Sequence, residues 1–428
     1  MSSDEKPLIT KGVEWQRSYG RSSKIVYLEA RLVPMADTYL TAETNDLQLL
    51  SRPLLYTYWT DCPDVDTYKS TVREDINHWL QKLTTKGITD WFIVHVDASA
   101  DRKGINKSKL LPTIKTSVLD KIRNDFPAVK STAERAVTLL DASHKNESKM
   151  ADSYQQFLCR LRALLLSSYS RQLIRYEDYI RTVRESRNQQ NWDFFHFFAL
   201  QEQLAFAFEM LSLYDEALVQ YDELDALFSQ FVINSTAGQT PEWLTRLSDN
   251  YDLWHGLCLS SNVSKSLRKQ FFAGDGVATN TTLIELRNYL FARQSELLLL
   301  LNKPWELASR ALPFLQNCVN ELNILEITMT PGGMACWVFL SALEILHKCE
   351  RYSDSSQMES YSRHTVGLWS YARNKLSELG SLCGLMPGMT LTSEHLHQVV
   401  GLIAGMGADP RTGETPLSPQ ERLKEALS

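Results

Sequence analysis

The sequence predicts an α+β protein overall, in which an N-terminal α/β domain is followed by an irregular, tetratricopeptide-like α-solenoid. Two observations predict this class. Over roughly the first third of the chain, runs that are apolar on both faces alternate with amphipathic helical runs. From Ser153 onward the strand pattern nearly vanishes, and apolar residues recur at helical spacing. We therefore place the α/β domain at residues 1–150 and the solenoid at residues 151–428.

The N-terminal domain is predicted to combine a hairpin with a covered, mostly parallel sheet. Val13–Ser18 and Lys24–Val33 are rich in strand-forming residues, and residues 19–22 between them have the composition of a hairpin turn. Three apolar runs predict buried strands, and helical spacing between them predicts the helices that cover the sheet. The strands are residues 53–59, 91–96 and 136–140, and the helices are residues 68–83 and 116–126.

The solenoid is predicted to consist of one long helix followed by pairs of helices. The long helix spans residues 153–188, and the pairs span residues 194–232, 283–322 and 334–382. Tyr214 and Trp305 follow the breaks in the first two pairs, as in tetratricopeptide hairpins, and Pro304 suits a helix start. Their separation of 91 positions does not fit the 34-residue period of that repeat, so the solenoid is irregular.

Two segments of the helical part have loop composition. Residues 233–282 are rich in Ser, Thr, Asn and Gly, which predicts a long surface insertion between helical pairs. Residues 387–418 near the end of the chain also read as loop.

Composition excludes several classes of function. The chain has 45 basic and 51 acidic residues, a net charge of −6, so no nucleic-acid partner is expected. No apolar run reaches the about 18–20 residues that cross a bilayer. Seven scattered cysteines without a C-x-x-C pair favour a reducing compartment and buried thiols over disulfides or zinc. The sequence predicts a cytoplasmic protein with no metal and no cofactor.

The residues leave one enzymatic alternative open. The glycine motifs of nucleotide-binding loops, the nucleophile elbow of hydrolases and the H-E-x-x-H zinc motif do not occur. His95 in an apolar strand and Asp97 at its end are the candidates for an enzyme or a nucleotide-binding protein that uses the α/β domain. A satisfied core histidine and an ordinary turn aspartate explain the same residues. We therefore expect no catalytic residues.

The sharpest charge feature is a run of seven arginines against three acidic residues within residues 160–187, a local charge of +4. The spacings 171/175 and 181/184 place arginines on neighbouring helical turns. Arg171, Arg175, Arg181 and Arg184 are therefore candidate contacts for an anionic partner, either a protein or a lipid headgroup. The alternative is a solvated helix face whose arginines pair with its own glutamates.

Seven segments spread over most of the chain carry a family resemblance: Glu14–Arg21, Tyr58–Asp61, Asp120–Phe126, Ala217–Gln230, Pro304–Glu306, Cys336–Ser341 and His364–Tyr371. These segments resemble the family of subunit 10 of the trafficking protein particle (TRAPP) complex. Members of that family are longer, with more solenoid and C-terminal β-sandwich domains. We therefore expect the chain to be an N-terminal portion of such a protein.

The resemblance implies a non-catalytic scaffold subunit of a TRAPP-type complex, which activates Rab GTPases by guanine-nucleotide exchange in Golgi and endosomal vesicle traffic. The implied partners are other TRAPP subunits, including a small adaptor subunit, with the Rab GTPase reached indirectly through the complex. The implied location is the cytoplasm, at the periphery of Golgi membranes. A generic helical-repeat adaptor outside trafficking is the other alternative that the residues leave open.

Overall fold

A computed structural model describes residues 8–9, 12–16, 23–36, 53–97, 117–127, 134–141, 146–238, 240–248, 256–257, 259, 281–352 and 355–407. The chain packs as two compact units, Met1–Tyr179 and Ile180–Ser428. The predicted fold class is confirmed, since the first unit holds all the described strands and the second is helical. The long helix Glu147–Glu185 spans both units, so the predicted division at residue 150 stays a prediction.

Two short antiparallel strand pairs begin the first unit. Strand β1 (Leu8–Ile9) pairs with β4 (Glu29–Ala30), and β2 (Val13–Trp15) pairs with β3 (Lys24–Val26). The predicted hairpin is therefore present, with shorter strands than the composition indicated, and its turn at residues 19–22 lies outside the described residues. Trp15 anchors the hairpin, because its indole N–H donates to Ser170 Oγ at 3.0 Å.

The main sheet of this unit has three parallel strands in the order β5 (Tyr56–Thr60), β6 (Trp91–Asp97) and β7 (Ala136–Leu140). All three were predicted from their apolar runs. Parallel neighbours need crossover connections, and helices supply the described parts of them. The helical elements are α1 (Val65–Thr67), a π-helical turn (Tyr68–Val72), α2 (Arg73–Thr85) and α3 (Val118–Asp125).

Both faces of this sheet are covered, which explains why the central strand is apolar throughout. Ile93 packs with Ile76 of α2 and Ile122 of α3 on one face. Phe92 and Val94 point the other way and pack in a second cluster that includes Phe157 of α4 (Glu147–Glu185). Successive side chains of a strand alternate between faces, so β6 needs apolar residues at both parities.

The second unit is a stack of helical hairpins. From residue 194 to residue 382 each long helix packs on the next one, and Met358–Leu382 also packs on Pro304–Ile324. In chain order the helices are α5 (Phe194–Met210), α6 (Tyr214–Ser235), α7 (Glu242–Thr245), α8 (Leu283–Leu300), α9 (Pro304–Ile324), α10 (Gly333–Tyr352), α11 (Met358–Leu382) and α12 (Ser393–Gly407). Short 3₁₀ turns lie at Ser186–Asn188, Arg246–Ser248 and Ser355–Gln357. No helix within the described part of the chain is long and apolar enough to cross a membrane.

The first two hairpin breaks share one turn geometry. Ser212 and Asn302 adopt left-handed backbone conformations, with φ of 57° and 56°. The next N–H in each case donates back into the preceding helix, from Leu213 to the carbonyl of Phe208 at 2.9 Å and from Lys303 to that of Leu298 at 2.8 Å. These are the bonds of a Schellman cap, which closes a helix and redirects the chain. The recurring layout seen in the sequence is therefore a recurring structure.

The segment predicted as a surface insertion, residues 233–282, contributes to the core where it is described. Helix α7 lies within it, and its Trp243 is only 2% exposed. The Trp243 ring stacks on Phe194 at a centroid distance of 5.1 Å and meets Phe231 edge-on at 5.2 Å. The polar composition of the segment did not predict this contact. A single tryptophan can bury more surface than several small polar residues expose.

The end of the described chain also differs from the prediction. Residues 393–407 form α12 rather than loop. Leu402 of this helix is buried in a cluster with Cys336 of α10 and Cys383, and Val399 packs against the same cluster. The helix is thus held by tertiary packing on α10 and on the end of α11, which loop composition does not reveal.

We predict that Trp243→Ala lowers the free energy of unfolding by about 3–5 kcal/mol, because it leaves a cavity within the aromatic cluster. Trp369→Ala is the matched control, since Trp369 is 54% exposed and its loss should change stability by less than about 0.5 kcal/mol. Guanidinium-induced unfolding followed by circular dichroism measures both. Equal effects for the two variants would show that α7 does not belong to the core.

Candidate functional site

Of the enzymatic candidates at the sheet, His95 is held by hydrogen bonds of its ring, and Asp97 is paired through its main chain. His95 is 7% exposed, and its Nε2 lies 2.9 Å from the carbonyl oxygen of Cys62, where an N–H donates. The other ring nitrogen lies 3.5 Å from Thr138 Oγ1 on β7. The carbonyl of Asp97 accepts the N–H of Asp141 at 3.2 Å, which extends the pairing of β6 with β7. The imidazole therefore ties three parts of the sheet region together, as expected for a core histidine.

No group of three or more His, Cys, Asp or Glu side chains in the described ranges is placed to hold a metal ion. The carboxyl ends of β5, β6 and β7 nevertheless share one edge of the sheet, the usual position of a site in open α/β folds. Cys62 and His95 meet there through the hydrogen bond just described.

The four candidate arginines divide between the two units. Arg171 and Arg175 belong to the first unit, and Arg181 and Arg184 to the second. Arg171 is engaged, since it forms an ion pair with Asp90 and donates to Ser167 Oγ at 2.7 Å. Asp90 directly precedes β6 and is 14% exposed, so Arg171 fixes α4 to the start of the central strand. The picture of a wholly solvated arginine face does not hold for Arg171.

The other three candidate arginines have side chains that are exposed to solvent. Arg175 is exposed and forms no ion pair with any other described residue. Arg181 is exposed as well. Arg184 pairs with Glu223 of α6 at 3.3 Å, and both side chains keep more than 40% of their surface exposed. Exposed pairs of this kind contribute little to stability and leave the charge accessible to a partner.

The sequence analysis missed a network of buried charges inside the helical stack. Arg287 of α8 is 1% exposed and pairs with Asp225 of α6 and with Glu321 of α9, the latter at 3.1 Å. Burial alone would lower the pKa of Arg287, but the surrounding anionic groups raise it above its ordinary value. Arginines inside the apolar run of residues 283–301 were the available signal, since a buried arginine requires carboxylates nearby.

A second part of this network lies along the same helices. Arg293 of α8 donates to Glu209 of α5 and to Glu296, each at 2.5 Å. Tyr289 donates its hydroxyl to Glu202 of α5 at 2.5 Å, in the buried interior. The bonds to Glu209 and Glu202 position α8 against α5.

Comparison with known proteins gives a consistent picture over both units. A family model described as "Trafficking protein particle complex subunit 10-like, N-terminal" matches residues 4–187. The Homo sapiens protein named trafficking protein particle complex subunit 10 is 46% identical over 97% of this chain and 32% of its own length. The Drosophila melanogaster protein of that name is 39% identical over 96% of the chain and 35% of its length. An Arabidopsis thaliana protein, trafficking protein particle complex II-specific subunit 130 homolog, is 26% identical over 90% of the chain and 29% of its length.

The chain thus spans about a third of the length of the curated relatives it matches. No solved structure matches it significantly.

The described cysteines are free and mostly buried, as their apolar helical settings predicted. Burial raises the pKa of Cys318 to about 12, even though the nearby Arg287 acts in the opposite direction. Burial also raises the pKa of Cys349 to about 12. Cys159 on α4 is exposed instead. Since the thiolate is the reactive form, Cys318 and Cys349 are small core side chains rather than nucleophiles.

We predict that iodoacetamide at pH 8 alkylates Cys159 in the native protein on the order of 100-fold faster than Cys318 or Cys349. Peptide mass spectrometry of timed samples measures each site. In denaturant, which exposes all thiols, the three rates should converge. Native-state alkylation of Cys318 as fast as that of Cys159 would contradict the buried placement.

Proposed function

We propose a function from the family to which the chain belongs, the trafficking protein particle complex subunit 10-like family: it is a non-catalytic scaffold subunit of a TRAPP-type complex. In this proposal the complex promotes guanine-nucleotide exchange on Rab GTPases in Golgi and endosomal vesicle traffic. The chain contacts other TRAPP subunits, including a small adaptor subunit, and meets the Rab GTPase only through the assembly. It acts in the cytoplasm at the periphery of Golgi membranes.

The observation that carries the proposal is the extent of the similarity. Identity of 46% with the human relative extends over 97% of the chain, so both units belong to the matched region. The relatives are about three times as long, and the activities of whole relatives enter here as part of the proposal.

The structure supports a binding role over a chemical one. A stack of helical hairpins offers long surfaces on rigid elements, the usual basis of scaffold function in repeat proteins. Of the two candidates for chemistry, His95 has a structural partner instead, because its ring bonds to the carbonyl of Cys62.

The scaffold role predicts that the tagged chain, expressed in human cells, recovers other TRAPP subunits in a pull-down analysed by mass spectrometry. The purified chain alone should leave the release of a fluorescent GDP analogue from Rab GTPases at the spontaneous rate. A purified TRAPP complex that stimulates release is the positive control. Recovery of no TRAPP subunit would favour a generic adaptor, and strong exchange by the chain alone would refute the non-catalytic role.

We also propose that the exposed arginines contact an anionic partner. Arg175→Glu should weaken co-purification of TRAPP subunits, or sedimentation with phosphatidylserine vesicles, about fivefold, because like charges repel at a complementary interface. Its melting temperature should stay unchanged, since Arg175 has no ion pair among the described residues. Arg373→Glu, an exposed arginine on α11, is the matched control.

Arg171→Glu should behave differently from Arg175→Glu. It removes the ion-pair partner of the mostly buried Asp90, which keeps its hydrogen bond from Ser168, and should lower the free energy of unfolding by about 1–3 kcal/mol. Unchanged binding by Arg175→Glu in both assays would return that residue to a solvated helix face.

A further inference from the structure

A groove in the second unit lies between the outer face of α6 and the residues that end and follow α4. It consists of two adjoining cavities of about 380 and 220 Å³, and Leu227 and Gln230 line both of them. Arg184 borders the larger cavity, and Arg187 borders the smaller one. The groove is open to solvent along one side, because Gln230 is exposed. Its dimensions suit a short segment of polypeptide.

Three carboxamide side chains line the smaller cavity: Asn188, Gln230 and Asn234. None of them forms a side-chain hydrogen bond with another residue in the described part of the chain. A carboxamide offers two donors and an acceptor, so it can pair with both the C=O and the N–H of a peptide main chain. The three side chains are exposed at one place, so their amide groups are accessible to the main chain of a ligand.

The spacing of the carboxamides fits an extended chain. Gln230 and Asn234 are four residues apart on α6, which corresponds to about 6 Å along a helix axis. An extended peptide repeats its orientation every two residues, or about 6.6 Å. The two side chains can therefore meet alternate peptide units of one extended segment.

The positive charge of Arg187, beside the smaller cavity, favours an acidic side chain of the ligand. Arg187 donates to the carbonyl of Arg184 at 3.4 Å, and no carboxylate among the described residues pairs with it. The neighbouring Arg184 already has Glu223 as its partner. A carboxylate supplied by a ligand would complete Arg187 with a charge-assisted hydrogen bond.

The larger cavity supplies apolar contact, and the two carboxylates that also line it, Asp222 and Glu223, are paired with Arg310 and Arg184. Val219 and Ala226 of α6 are exposed there, and the buried Leu227 lies beside them. The groove therefore combines an apolar end, a row of carboxamides and a cation. We propose that it binds an extended peptide segment of another protein, whose main chain pairs with the carboxamides and whose aspartate or glutamate binds Arg187.

The proposal is tested on the purified chain with a phage-displayed library of random 12-residue peptides. Selected peptides are synthesised with a fluorescent label, and their affinities are measured by fluorescence anisotropy. We expect selected peptides to contain an acidic residue, and replacement of that residue by its amide to weaken binding about tenfold. Because no TRAPP subunit is present, the result is independent of the scaffold proposal.

Variants of the groove give the decisive comparison. Arg187→Glu, and the pair Gln230→Ala with Asn234→Ala, should each weaken binding at least about tenfold, while circular dichroism shows unchanged folding. Arg373→Glu and Asn374→Ala, at exposed positions of α11 away from the groove, are the matched controls. Arg187→Lys keeps the charge and should retain part of the affinity.

Several results would overturn the proposal. It is wrong if the library yields no binding peptide, or if every selected peptide binds the groove variants as tightly as the original chain. If proline substitutions that prevent a selected peptide from forming a helix abolish its binding, the ligand is helical and the extended binding mode is wrong. Self-association of the chain that disappears in Arg187→Glu would identify a second copy as the occupant.

Discussion

The ion pairs of Arg287 fix the arrangement on which the helical stack depends. A guanidinium removed from water must be paired, and here the partners come from two different helices, Asp225 of α6 and Glu321 of α9. Sliding or rotating any one of α6, α8 and α9 would leave a charge buried without a partner. Apolar packing alone tolerates such shifts more readily, so the charges select one register. With the inner face of α6 committed in this way, its outer face is left to line the groove.

The first unit shows a related division of labour among polar residues. Its parallel sheet is covered on both faces, and the polar side chains within it serve packing. The ring of His95 forms a hydrogen bond with the carbonyl of Cys62, and the guanidinium of Arg171 forms an ion pair with Asp90. Both side chains, which were functional candidates in the sequence, therefore bind partners from distant parts of the chain.

The proposed functions rest on different parts of the molecule. Similarity to the subunit 10 relatives extends over almost the whole chain and supports the proposed assembly with other TRAPP subunits. The groove beside α6 is a local feature, defined by Asn188, Gln230, Asn234 and Arg187. A rigid helical stack can hold both, because each helix exposes a face that its neighbours do not need. A scaffold that also captures extended segments would link its complex to further proteins.

Local pattern in the sequence determined most of the elements. The strand at residues 136–140 has the predicted bounds, and the breaks before Tyr214 and Pro304 fall where the helices end. Period and turn chemistry act between near neighbours in the chain, so they can be read without the fold. The candidate arginines were found in the same way, through their density, but their partners were not.

Only the tertiary structure decided which of those residues are free. Arg171 meets Asp90 across 81 positions, and Trp243 enters the core from a segment with loop composition. The carboxamides of the groove come from two helical elements and have no shared motif. Such contacts depend on how elements pack, and packing is a property of side chains far apart in sequence. The sequence by itself therefore determined most of the elements and the family resemblance, and the fold decided which charges and amides are left for a partner.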